Sequence, residues 1–104
     1  MTDEQKQKCR DIFGHYGMAA QLRQLIEECA ELIQAAAKYN RITNDGSRQD
    51  LIAYQHLHEE LADVMIMVEQ ISQHVNENML SAFVEQKLDR QLGRINNEKA
   101  TRTP

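Results

Sequence analysis

Glycine and proline are scarce in this chain, with four of the first and one of the second, the proline standing last among 104 residues. That scarcity removes the residues that interrupt helices, so an all-α chain is the natural expectation. Aromatic residues supply only 5% of a chain that is 41% apolar, so its core has to be assembled from Leu, Ile, Val, Met and Ala. Two cysteines, Cys9 and Cys29, are too few for a disulfide framework and lack metal-site spacing. Free thiols in a reducing compartment are expected of them. No apolar run approaches the roughly 18 residues that cross a bilayer. The acidic N-terminus is unlike a signal peptide, so a cytoplasmic protein with no membrane partner is expected. A net charge of −4 gives no electrostatic reason for nucleic-acid binding.

What is present is helical periodicity. Thr2 with Gln5 fits a capping box opening a first helix that runs to about Phe13, with Gly14 and Gly17 supplying the break. Leu22, Leu25, Ile26, Cys29, Leu32, Ile33 and Ala36 predict a second helix over about 18–40. The stretch Ile42-Thr43-Asn44-Asp45-Gly46-Ser47 is the strongest turn signal. A third helix is expected over about 50–75, capped near Asp50 or Ser47, and a fourth over about 79–96 after a short connection. The reading is one domain over residues 1–97 with a polar tail at 98–104, folded as an antiparallel bundle with two long helices. So slender a bundle leaves Ile26, Ile33, Met65, Val68 and Ser72 on a second face, where a partner copy in a dimer or tetramer would cover them.

Against this pattern two acidic clusters stand out: Glu27, Glu28 and Glu31 in EECAEL, and Glu59, Glu60 and Asp63 in EELADV. Three-residue spacing puts Glu28 with Glu31, and Glu60 with Asp63, on one helix face each. Their neighbours on those faces are apolar: Leu25, Leu32 and Ala35 beside Glu28, and Leu57, Val64, Met67 and Ile71 beside Glu60. Carboxylates in an apolar stripe are costly unless their charge is compensated. Convergent oxygen ligands of this kind suit magnesium, manganese or calcium, and an acidic site that binds phosphate only through a metal points to phosphoryl chemistry. On the fourth helix Lys87, Arg90 and Arg94 share a face suited to phosphate oxygens, or to solvent near a helix C-terminus.

At these residues the chain resembles a known family. EECAE followed by ELAD is similar to the EExxE…ExxD signature of the MazG-like all-α nucleoside triphosphate pyrophosphohydrolases, over roughly residues 21–95. The resemblance implies hydrolysis of a nucleoside triphosphate between its α and β phosphorus atoms, giving the monophosphate and pyrophosphate, with Mg2+ as cofactor and Mn2+ as a substitute. It implies Glu28, Glu31, Glu60 and Asp63 as metal ligands and Glu27 as water-activating base or outer-shell group. Lys87, Arg90 and Arg94 would contact phosphates, in a homodimer or homotetramer. For the base, Gln21 and Gln24 lie on the Glu28 face, and Tyr16 or Phe13 can stack. Two other classes fit less of the pattern. A di-iron carboxylate bundle wants Glu-x-x-His units, and here Glu31 and Asp63 occupy the histidine positions, leaving His56 as an alternative ligand at most. A non-enzymatic, partner-binding helical oligomer requires the acidic faces and the apolar residues beside them to be exposed.

Overall fold

Two side chains start the first helix of the computed structural model, which describes residues 1–43 and 50–102. Thr2 Oγ1 accepts from the Gln5 amide at 3.1 Å, and Gln5 Oε1 accepts from the Thr2 amide at 2.9 Å, closing the expected capping box around α1, Asp3–Tyr16. The helix passes through Gly14 and ends only at Gly17. There the backbone takes φ 84, and the Gly17 amide donates to the Phe13 carbonyl at 2.8 Å. A side chain would strain that left-handed conformation. The next helix, α2, begins at once and spans Met18–Thr43. It runs beyond the expected end near Asn40, so Ile42 and Thr43 are helical. The remainder of the predicted turn, and Ser47 as an alternative cap, lie outside the described residues.

Asp50 caps α3, Leu51–Ser72, its Oδ1 accepting from the Ala53 amide at 3.0 Å. This fixes the register that places Glu60 and Asp63 roughly three to four turns downstream. Asn76 does the same for α4, Glu77–Arg102, accepting from the Met79 amide at 2.9 Å. The helix therefore starts at Glu77, two residues ahead of expectation. It also continues through the stretch expected as a tail, where Glu98, Lys99 and Ala100 are good helix formers.

The fold is all-α, as the composition requires. It divides into two units, Met1–His74 and Val75–Pro104. In the first, α2 and α3 pack together most extensively and α1 lies against both. Cys9, Ala35, Ala53 and Met67 form its buried apolar core. Three buried polar residues, Gln21, Glu60 and Gln70, share that interior. Phe13 stacks face to face on His74 at 3.7 Å, joining the end of α1 to the turn that follows α3. Ile26 and Ile33 are 69% and 68% exposed, and Met65 and Val68 are also exposed, while Ser72 is half-buried. The second unit holds α4, which has no buried side chain. No helix among the described residues is long and apolar enough to cross a membrane.

Asp50→Ala removes the α3 cap and is expected to cost about 1 kcal/mol. A thermal melt should show Tm lowered by roughly 4–8 °C, and an unchanged Tm would mean the cap contributes nothing to the fold.

Candidate functional site

The most extensive helix contact in the first unit carries the acidic residues. Packing α2 against α3 brings Glu28, Glu31, Glu60 and Asp63 together, each offering a carboxylate oxygen, all within 4.8 Å of one another. Their burial is graded: Glu60 is buried, Glu28 half-buried, and Glu31 and Asp63 exposed. Of the residues expected beside them, Ala35 and Met67 are buried and Leu25, Leu32, Leu57, Val64 and Ile71 half-buried. The cluster thus stands on an apolar floor and opens to solvent on one side.

Coulomb's law at an effective dielectric of about 20–80 makes each pair at this spacing repulsive by roughly 1–3 kcal/mol. Protein groups offset little of it. Gln24 Nε2 donates to Glu28 Oε1 at 2.7 Å. The second oxygens, Glu28 Oε2 and Glu60 Oε2, are buried without any hydrogen-bond partner. His56 Nδ1 stands 3.8 Å from Glu60 Oε1 and 3.9 Å from Glu59 Oε2, too far for a hydrogen bond, and is not one of the four clustered groups. The Gln24 hydrogen bond pulls the Glu28 carboxyl down. Burial and the charges of Asp63 and Glu31 outweigh it and hold the group above its ordinary value. Two buried, orphaned carboxylate oxygens among four hard oxygen donors fit a divalent cation such as Mg2+, Mn2+ or Ca2+, and suit no soft metal.

A cleft of about 520 Å³ adjoins the cluster and shares Glu28 and Asp63 with it. Gln21, Gln24 and Glu27 of α2 line it, as does Tyr16 of α1, which is 61% exposed. Phe13, the other aromatic candidate for base stacking, is stacked on His74 and does not line this cleft. Arg23 and Gln70 also line the cleft and were not singled out from the sequence. The signal for both was available. Gln70 stands seven residues after Asp63, and Arg23 four before Glu27, each on the face of its carboxylate. Gln70 is the most buried side chain of the interior, and its Oε1 accepts from Gln21 Nε2 at 2.7 Å. On the second unit, Lys87, Arg90 and Arg94 line a shallow groove of about 210 Å³ with Gln91, all exposed. The three basic residues do share a face.

Two outcomes follow from the uncompensated charge. Glu60→Gln is expected to leave the cation-free Tm unchanged or raised and to abolish the Tm gain on adding magnesium. A lower cation-free Tm would mean that the negative charge stabilises the fold. Glu28, with its folded-state pKa raised, binds its proton more tightly folded than unfolded. Its contribution to stability is therefore full below the ordinary value of 4.5 and lost as pH rises through the folded pKa. Cation-free melts should show that decline, Glu28→Gln should flatten it, and magnesium, which requires ionised ligands, should oppose it.

Neither the curated proteins nor the solved structures give a significant match. Residues 17–90 match the MazG nucleotide pyrophosphohydrolase domain, a span holding all four clustered carboxylates, Lys87 and Arg90, and ending before Arg94. On that match the chain belongs to the MazG nucleotide pyrophosphohydrolase family.

Proposed function

We propose that this protein hydrolyses nucleoside triphosphates, deoxynucleoside or modified ones in particular, between the α and β phosphorus atoms. The products are the nucleoside monophosphate and pyrophosphate, and Mg2+ is the cofactor, with Mn2+ able to replace it. The observation that carries the reading is the set of four carboxylates within 4.8 Å, two of them with buried, unpartnered oxygens, in a chain of this family. Glu28, Glu31, Glu60 and Asp63 would hold the cation, which when bound offsets their charge and polarises the phosphorus–oxygen bonds under attack.

The remaining roles fall to side chains. Glu27 is exposed, lines the cleft beside Glu28, and makes no ion pair among the described residues. Its carboxylate is free to take the proton that the attacking water releases. Arg23 brings a cation to the same cleft, and Lys87, Arg90 and Arg94 offer three more for phosphate oxygens. Gln21, Gln24 and Tyr16 would face the nucleoside. Homodimers or homotetramers would cover the exposed faces that carry Ile26, Ile33, Met65 and Val68.

A pyrophosphate-release assay over common and modified nucleoside triphosphates, with magnesium and with chelator, tests this. Pyrophosphate and monophosphate are expected with metal alone. Orthophosphate would overturn the cleavage position, and no release from any nucleotide would overturn the activity. Glu60→Gln should lower turnover by at least about 100-fold, as loss of a metal ligand does. Lys87→Ala should raise KM about tenfold through one lost charge-assisted contact, and unchanged kinetics would remove Lys87 from the site.

A further inference from the structure

The glutamines that line the cleft are not free to turn. Gln70 is 1% exposed, and its Nε2 lies 3.8 Å from Met67 Sδ. A thioether sulfur only accepts, so turning the Gln70 amide round would set its oxygen against another acceptor. Gln70 Oε1 therefore faces Gln21, and the Gln21 atom that meets it at 2.7 Å has to be Nε2. That leaves Gln21 Oε1, on a side chain only 6% exposed, without a partner among the described residues. Gln24 is fixed by the same logic. The Glu28 carboxylate accepts only, so the amide nitrogen is turned to it, and Gln24 Oε1 is left over. Both residues line the 520 Å³ cleft. In each the nitrogen gives one of its two N–H groups to a neighbour, which fixes the way the amide is turned, and the carbonyl oxygen keeps both lone pairs.

This part of the cleft therefore offers more acceptor lone pairs than amide N–H donors, and the Glu27 carboxylate on its wall adds to the bias. The strong donor in the lining is Arg23. A guanidinium is held by phosphate oxygens through charge-assisted bonds, which a neutral base carbonyl cannot match. Ile12, Ile66 and Met67 give the cleft an apolar surface that a flat ring can lie on.

We propose that the Gln70–Gln21 and Glu28–Gln24 pairs make the cleft select nucleotides whose base carries an exocyclic amino group over their oxo counterparts. This rests on the reading of the protein as a nucleotide pyrophosphohydrolase. An amino group brings two N–H donors to a wall of carbonyl acceptors. An oxo group sets lone pairs against the wall in place of both donors, and the ring N–H that the oxo base gains beside it can meet one amide oxygen at most.

The test is kcat/KM with magnesium for matched pairs that differ at that position, dCTP against dUTP and dATP against dITP. In whichever pair is turned over, the amino member should be preferred by roughly 10- to 100-fold. Gln70→Met frees the Gln21 amide to present either end, so the ratio should fall toward one. Gln24→Met, away from the buried pair, should lower the ratio as well and serves where Gln70→Met does not fold. Parity, an oxo preference, or a ratio unmoved in folded variants would overturn the inference while leaving the pyrophosphohydrolase reading intact. Should no triphosphate be hydrolysed, that reading fails, and calorimetric binding of dCMP against dUMP decides the inference alone. Tighter dCMP supports it; equal binding, or none, overturns it.

Discussion

Like charges placed within a few ångströms of one another repel, and a protein that holds them there has to supply the restraint from elsewhere in its fold. Here the restraint is the contact between α2 and α3. The same apolar packing that joins these helices, with Ala35 and Met67 buried in it, carries Glu28, Glu31, Glu60 and Asp63 to within 4.8 Å. Hydrophobic burial thus does work against electrostatic repulsion, work that a cation held by the four carboxylates would return. Burial grades the group usefully. Glu60 is fixed in the interior, whereas Glu31 and Asp63 remain in contact with water, so one side is rigid and the other open to exchange.

Glutamine is the second organising residue. A carboxamide is neutral, so it can be buried next to a carboxylate cluster without adding to the repulsion, provided its hydrogen bonds are made. Gln24 holds one oxygen of Glu28 and leaves the other for the cluster. Gln21 and Gln70 span α2 and α3 through the interior, tying the cleft wall to the same helix pair that carries the acidic groups. The polar interior is therefore an extension of the site, built on the same two elements.

Much of this was legible in the residues. The absence of internal proline and the three-to-four-residue spacing of Leu, Ile and Val specified helices, and Thr2 and Asp50 marked two starts that the hydrogen bonds bear out. The two acidic half-motifs stood out because they interrupt apolar faces, and helix packing alone was enough to bring them together. Helix ends were less legible. Gly14 looked like a break beside Gly17, yet only Gly17 takes a positive φ, because glycine permits such a conformation and does not dictate it. The cleft was the least legible part. Spacing puts Gln70 on the face of Asp63, but its burial depends on where α2 lies, a long-range fact that no local pattern carries. Phe13 looked as suited to a base as Tyr16 until His74, distant in sequence, proved to be its partner.

The left-handed glycine between α1 and α2 has a consequence for how such a protein can change. Ile12 and Tyr16 reach the cleft from α1, while the acidic cluster belongs wholly to α2 and α3. Gly17 joins the two parts by a single residue, with no room for gradual adjustment. Substitutions along α1 can widen, narrow or re-face one side of the cleft while the helix pair that carries the carboxylates is left as it was. The α1 side of the cleft can thereby vary in a lineage built on this plan, while the carboxylates and the glutamines beside them, all on α2 and α3, are kept.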